Sequence, residues 1–370
     1  MLMKHIPFYT LVHQNKFIEN EVQFFYKELH TDALYILGKR VLQFEKEYAA
    51  YHSMKHCIGV GNGLDALTLS LRALEIGKGD EVIVPANSFI ATMLAVTQVG
   101  ATPVLAEPDS RSFNITAGEI QKKITSKTKA IIPVHLYGQA CEMDEILSFA
   151  NKHHLYVVED NAQAHGTIYK NKKTGSFGIV NATSFYPVKP LGAYGDGGAV
   201  TTNDDALDRK IRLLANYGST EKYYYETAGV NSRLDEIQAG VLSIKLTYLD
   251  LWNEERIQLA ALYNSLLKEV KEILLPESTN ACTHIYHQYV IQTNTRDALK
   301  EHLKKQGIET GIHYPIPAHL QKAYEFLNLK KGSLPVTEKL TETILSLPIY
   351  TGMKEEDVEY VCQVIRKFYK

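Results

Sequence analysis

The 370-residue sequence has four cysteines, one tryptophan and no apolar stretch of membrane-spanning length. Cys57, Cys141, Cys282 and Cys362 stand far apart and form no C-x-x-C. A disulfide framework or a cysteine-held zinc needs paired or closely spaced thiols, so a reducing cytoplasm is the expected setting. A spanning helix needs roughly 18 apolar residues. The opening MLMKHIPFYT lacks a secretory apolar region and a cleavage site, so neither a membrane nor a leader peptide is expected. No long basic run occurs and the formal net charge is −2. That argues against a nucleic-acid partner, because neutralising phosphates takes clustered Lys and Arg. Fourteen histidines include the adjacent pair His153 and His154, but no H-E-x-x-H. Adjacent residues do not share a helix face, so no catalytic metal is expected.

What is present is ordinary for a globular chain: 45% hydrophobic and 22% charged residues, without repeats or low-complexity segments. The length suggests two domains. From about residue 56, short apolar runs alternate with helical patterns. Strands are predicted over His56–Val60, Glu81–Val84, Pro103–Ala106, Ala130–Val134 and Leu155–Val158, the last ending in Glu159-Asp160. Helices are predicted over Leu64–Leu74, Ser88–Val99 and Met143–His153. This order predicts βαβ units and a largely parallel sheet covered on both faces. A proline-free pattern from Leu234 to Val270 reads as one long helix, with a domain boundary inside it near residue 245. Beyond it, a strand at Tyr286–Thr293, a helix at Arg296–Gln306, a strand at Glu309–His313 and a helix at Glu355–Phe368 suggest a smaller α+β unit. The expected division is therefore a large domain over 1–245 and a small one over 246–370.

In an open α/β sheet, ligands bind beyond the carboxyl ends of the strands, and Asp160 falls there. Taken alone, an aspartate in that place is a turn or cap residue. Gln163, His165, Ser184 and Lys189 follow, the last two inside SFYPVKPLGAYGDGGAV. No other charge accompanies Lys189 until Asp196, an odd setting for a surface lysine. A buried lysine loses basicity and becomes a nucleophile towards aldehydes. Gly61, Asn62 and Gly63 lie between a predicted strand and helix, where helix N-terminal amides can hold a phosphate. A dinucleotide turn is excluded there because Leu64 occupies the last glycine position of G-x-G-x-x-G. Phe89 is either a core aromatic or a flat cover for a ring. A nucleophilic amine, a carboxylate at a strand end, a phosphate cradle and a ring cover are the parts that pyridoxal phosphate requires.

The sequence resembles the DegT/DnrJ/EryC1/StrS sugar aminotransferases from about Pro7 to Val364. The resemblance is carried by GNGLDAL at 61–67, VPANSFIAT at 84–92, VEDNAQAHG at 158–166, SFYPVKPLGAYGDGGA at 184–199, NSRLDEIQAG at 231–240 and TGIHYPIPAHLQ at 310–321. It implies an α/β fold of the type I, aspartate-aminotransferase-like class, with a large α/β/α domain and a smaller C-terminal α+β domain. It implies that Lys189 holds pyridoxal 5'-phosphate as a Schiff base and moves protons, and that Asp160 pairs with the ring nitrogen. Gln163 would lie near the ring's phenolic oxygen. Ser184 and the backbone of Gly63 and Leu64 would bind the phosphate, and Phe89 would stack on the ring. Asn231 would reach the phosphate of a neighbouring subunit, making a homodimer with shared sites the active unit. Tyr186, His313 and Tyr314 are candidates for contacts with the sugar nucleotide, against readings as a packing tyrosine and a polar turn. Pro190 departs from the polar residue expected after the lysine and removes a backbone N–H.

The implied reaction moves an amino group from L-glutamate to a nucleotide-linked keto sugar. The LGAYGDGGA, SFYP and NYGS segments resemble the enzymes that aminate carbon 3 of a dTDP-3-keto-6-deoxyhexose, giving a dTDP-3-amino-3,6-dideoxyhexose. Amination at carbon 4 of a 4-keto sugar is the alternative. A sugar dehydratase would carry histidine in place of Lys189, and a non-catalytic regulator on the same fold would have no use for the catalytic set.

Overall fold

The computed structural model describes residues 4–279 and 281–370. Its centre is a seven-stranded sheet built from β1 (His56–Val60), β2 (Glu81–Pro85), β3 (Thr102–Ala106), β4 (Thr128–Ile131), β5 (Tyr156–Asp160), β6 (Val180–Ser184) and β7 (Gly198–Thr202). The order across the sheet is β1-β7-β6-β5-β4-β2-β3. Only β7 runs against the others, pairing antiparallel with both β1 and β6.

Burial explains why these strands read as unbroken apolar runs. Val82, Ile83 and Val84 are all fully buried, so both faces of β2 are covered. Successive side chains alternate between faces. Val82, Val84, Val158 and Val200 share one core with Leu67 and Leu71 of the helix Gly63–Ala73. Ile83, Ile131 and Val157 face the other way, against Met143, Ile146 and Ala150 of the helix Met143–Lys152. Near β1 that second layer is continued by Val41, Phe44 and Tyr48 of the helix Lys39–Tyr51. The chain is thus three-layered, helix, sheet and helix. The helix Lys39–Tyr51 and the two before it, Val12–Phe17 and Glu19–Asp32, have no counterpart in the sequence-based reading.

Two expectations are corrected. The stretch Leu234–Val270 is not one helix but two, Glu236–Leu246 and Leu249–Leu267. At the break the Thr247 hydroxyl donates back to the Ile244 carbonyl at 2.8 Å, and the Tyr248 amide bonds Lys245 three residues back. This tightening ends the first helix without proline or glycine. Glu309–His313 is not a strand: Gly311 makes a single bridge to Ser346. The strand β8 (Tyr289–Gln292) pairs instead with β9 (Ile344–Leu347). These two strands pack with Leu259, Tyr263 and Leu267, with the helices Arg296–Lys305 and Glu355–Phe368, and with Ile6 from the other end of the chain. Ala318, Tyr324 and Leu334 turn back onto the core of the large sheet. No helix among the described residues is long and apolar enough to cross a membrane.

Candidate active site

One edge of the sheet gathers the chemistry. The parallel strands β1, β2, β5 and β6 all end there, and the reversed β7 begins there. Their terminal residues line a cavity of about 420 Å³ that includes Asn62, Gly63, Phe89, Asp160, Ser184 and Lys189. Leu64, Gln163, Tyr186, His313 and Tyr314 also line it. Ten of the eleven sequence-derived site residues are therefore brought to one space. Asn231 is not: it is exposed and bridged to Asn216, outside the cavity of its own chain.

The cradle is made by close backbone approach. Asn62 caps the helix Gly63–Ala73, its side chain accepting from the Asp65 amide at 2.8 Å. The first amides of that helix have no intrahelical acceptor and are free to meet an anion. A Cβ on Gly63 would sit 2.5 Å from the Ser184 Cβ, and one on Gly198 would sit 2.5 Å from the Asn62 carbonyl carbon. Only glycine lets β6, β7 and this helix start meet so closely. The Gly61 amide is tied to Ser232, whose hydroxyl donates to Asp65.

Asp160 and Glu159 point to opposite faces of β5. The Glu159 carboxylate is fully buried and accepts from His135 Nε2 at 2.6 Å and from the Phe177 amide at 2.7 Å. Since the Cys141 amide donates to His135 Nδ1, the proton of that imidazole sits on Nε2 and is given to Glu159. Burial alone would raise the Glu159 carboxyl, but the hydrogen bonds from His135 and from the Gly175 and Phe177 amides outweigh it and hold it low. Asp160, 5% exposed, faces the cavity. It accepts from the Ala162 amide at 3.1 Å and from the Thr92 hydroxyl at 3.1 Å. Burial pushes its carboxyl up, opposed by those bonds and by the charge on Lys189. Thr92, whose hydroxyl holds this carboxylate, was not singled out by the sequence; its place three residues after Phe89 in VPANSFIAT was the available signal.

Lys189 lies in a tight loop closed by Lys189 N to Tyr186 O at 2.8 Å and by Ala193 N to Phe185 O at 2.8 Å. Desolvation drives its amine down to about 8, although the Asp160 carboxylate pulls the other way. A lysine of that basicity is neutral in about one-quarter of molecules near physiological pH, far more than an ordinary lysine, and can attack an aldehyde. The loop is held from behind by Lys245, which is 1% exposed and donates to the Gly192 carbonyl at 2.7 Å. Gln163 is oriented by the Tyr137 amide, which donates to its Oε1 at 2.8 Å, and its Nε2 lies 3.4 Å from the Tyr314 hydroxyl. Phe89 is the cap residue before the helix Ile90–Gln98, not within it. It is 51% exposed, with its ring 5.4 Å from that of Tyr314. His313 bonds the Ser346 hydroxyl at 2.8 Å, and burial lowers its imidazole to about 4. Among the described residues no cluster of three or more His, Cys, Asp or Glu is placed to hold a metal ion.

The model of the DegT/DnrJ/EryC1/StrS aminotransferase family matches residues 16–366. The chain belongs to this family. It is 48% identical over 365 residues to the dTDP-3-amino-3,6-dideoxy-alpha-D-galactopyranose transaminase of Aneurinibacillus thermoaerophilus, covering 98% of this chain and 99% of the relative. Among solved structures it resembles DesV of S. venezuelae in complex with a ketimine intermediate, with a TM-score of 0.97, 43% identity and 99% of both chains covered. NtdA from Bacillus subtilis, solved with bound cofactor PMP, matches with a TM-score of 0.90 and 30% identity, over 99% of this chain and 86% of that one. This family member is accordingly an α/β enzyme of the type I transferase class, an aminotransferase.

The residues present fit a pyridoxal cofactor on their own terms. The glycine-lined cradle suits a phosphate, the buried Asp160 suits a ring cation, and the half-buried Lys189 amine suits an aldehyde.

Proposed function

We propose that this enzyme carries pyridoxal 5'-phosphate on Lys189 and moves an amino group from L-glutamate to carbon 3 of a dTDP-linked 3-keto-6-deoxyhexose. The product would be a dTDP-3-amino-3,6-dideoxyhexose. The observation that carries the chemistry is the juxtaposition, in one cavity, of an amine lowered to about 8 and a carboxylate held by two hydrogen bonds. The choice of sugar is supported by the full-length similarity to the 3-amino-3,6-dideoxygalactose transaminase.

When bound, the cofactor supplies an aldehyde that accepts the amine and a ring that withdraws electrons from it. The chain's own residues do the rest. Lys189 Nζ, once free and neutral, takes the α-proton of the amino donor and later returns a proton, acting in turn as base and acid. Asp160 keeps a cation inside the cavity by presenting its charge where water is scarce. Thr92 and the Ala162 amide fix the direction of that charge. Ser184, Gly63 and Leu64 would hold the phosphate, Gln163 would orient the ring's oxygen, and Phe89 would cover its face. Tyr186, His313 and Tyr314 form the wall left for the sugar nucleotide.

Asn231, exposed on its own chain, is assigned to the phosphate of a neighbouring subunit, which makes a homodimer the catalytic unit. The chain divides at about residue 245 into a cofactor-binding domain and a smaller C-terminal domain. Supplying the purified enzyme with glutamate and either the 3-keto or the 4-keto sugar tests the position of amination. Turnover of the 4-keto sugar alone would overturn it.

A further inference from the structure

Ser346 is a polar residue in the apolar strand β9. Its neighbours Leu345 and Leu347 pack into the C-terminal core, and successive strand residues alternate between faces, so Ser346 turns the other way. It is fully buried, and the mechanism above gives it no part. Its hydroxyl lies 2.8 Å from Nδ1 of His313, whose side chain lines the cavity.

That hydrogen bond has a direction. A serine hydroxyl carries one proton, and when buried it needs an acceptor for it. Among the described residues, Nδ1 is the one acceptor bonded to the Ser346 hydroxyl. Were the proton on Nδ1, the hydroxyl would accept it, and its own hydrogen would be buried without a partner. The hydroxyl therefore donates, and a neutral imidazole then carries its proton on Nε2. Burial and the nearby Lys189 charge keep His313 neutral at physiological pH. Among the described residues Nε2 has no hydrogen-bond partner, and they do not close it off from solvent.

The imidazole is also held flat. Phe8 stacks on it, with centroids 5.6 Å apart and planes 24° from parallel. Gly311 and Ser346 exchange both backbone hydrogen bonds, at 3.0 and 2.8 Å. A Cβ at Gly311 would lie 2.6 Å from His313 Cε1 and 3.0 Å from the Phe8 ring, so glycine leaves the room that the stack needs.

We propose that Ser346 is a positioning residue that holds His313 in the Nε2–H tautomer, so that this N–H donates to an acceptor oxygen of a bound substrate. The tautomer is independent of the functional reading above; the substrate contact rests on it. Both substrates carry such oxygens, the carboxylates of glutamate and the keto and phosphate oxygens of the sugar nucleotide.

The tautomer is read by long-range nitrogen–proton NMR correlation on the holoenzyme with isotope-labelled histidines, the His313 signals being assigned by their loss in His313→Gln. A proton on Nε2 and a bare Nδ1 are expected. A proton on Nδ1 would overturn the proposal, whatever substrate the enzyme uses. The contact is read by following the glutamate and sugar half-reactions separately through the absorbance of the bound cofactor. Ser346→Ala should keep cofactor binding and lower kcat/KM roughly 3- to 10-fold in the half-reaction whose substrate supplies the oxygen, the size of one hydrogen bond's net contribution. Ser346→Thr, which keeps the hydroxyl, should recover most of that loss. If Ser346→Ala does not fold, His313→Gln and His313→Asn carry the test. The glutamine amide reaches where Nε2 stands and the asparagine amide only as far as Nδ1, so His313→Gln should keep the more activity. Unchanged half-reactions in Ser346→Ala, or His313→Asn as active as His313→Gln, would overturn the contact. So would an equal loss in both half-reactions with weaker cofactor binding, which marks a structural defect. A wild type that takes the amine of glutamate but aminates no nucleotide-linked keto sugar, with its His313 proton on Nε2, would refute the functional reading and leave the tautomer standing.

Discussion

Lys189 offers a prediction whose size can be worked from the structure. Its amine is driven from an ordinary value of 10.5 to about 8. At pH 7.5 a group at 8 is about one-quarter neutral, whereas one at 10.5 is neutral in only about one molecule per thousand. Only the neutral amine attacks an aldehyde, so Lys189 should react roughly two hundred times faster than an unshifted lysine of equal access. The assay is reductive labelling of cofactor-free protein with a short aldehyde and a mild hydride donor, followed peptide by peptide by mass spectrometry across pH. Labelling at Lys189 should rise with pH with a midpoint near 8. The Asp160 carboxylate stabilises the charged amine and raises its pKa against the larger effect of burial. Asp160→Asn should therefore move the midpoint below 8. Lys245 supplies a control for access. Burial also lowers it to about 8, yet it is 1% exposed and bonded to Gly192, and should stay unlabelled. A Lys189 midpoint near 10.5, or an upward move in Asp160→Asn, would refute the reasoning.

Gly63→Ala should weaken cofactor binding roughly tenfold or more, measured by fluorescence titration, because the new methyl lies 2.5 Å from the Ser184 Cβ. Glu159→Ala should cost the cofactor-free protein about 2–6 kcal/mol in chemical denaturation, since it leaves two donors, the fully buried His135 Nε2–H and the Phe177 amide, without an acceptor. Because the Glu159 carboxyl is held below its unfolded value of 4.5, its stabilisation is present above that pH and lost as pH falls through the lowered value. Mixing inactive Lys189→Ala with Asn231→Ala should restore up to about a quarter of wild-type activity if subunits exchange at random and share sites; no restoration would argue against the shared site.

The parts of the fold that were legible in the sequence are those where one physical rule acts alone. Strands β1 to β5 are buried on both faces, so apolar runs such as EVIVP mark them directly. The helix Glu355–Phe368 shows clean amphipathic spacing, with Val358, Val361, Cys362 and Ile365 buried. The three N-terminal helices were not legible. Glu19–Asp32 buries only Val22, Phe25 and Leu29 and has no side-chain cap, so its pattern is faint. Strand β7 was hidden because its fully buried GAVTT follows the glycine-rich LGAYGDGG, which reads as loop. The break at Thr247 carries no proline or glycine to announce it.

In the site, the charged and glycine-bound positions could be placed because their residue types are costly elsewhere. A lysine without neighbouring charge, an aspartate at a strand end and glycines between strand and helix each demand a reason. Thr92 could not be placed that way, since threonine is unremarkable in a helix. Its place arises only from what the fold sets opposite it, the Asp160 carboxylate.

The most direct test of the central claim is the absorbance spectrum of the purified protein with pyridoxal phosphate, before and after L-glutamate. The account predicts a visible band from the lysine-bound cofactor, absent in Lys189→Ala, that glutamate converts to the shorter-wavelength amine form. A protein that shows no such band after incubation with the cofactor, or whose band glutamate leaves unchanged, would contradict it.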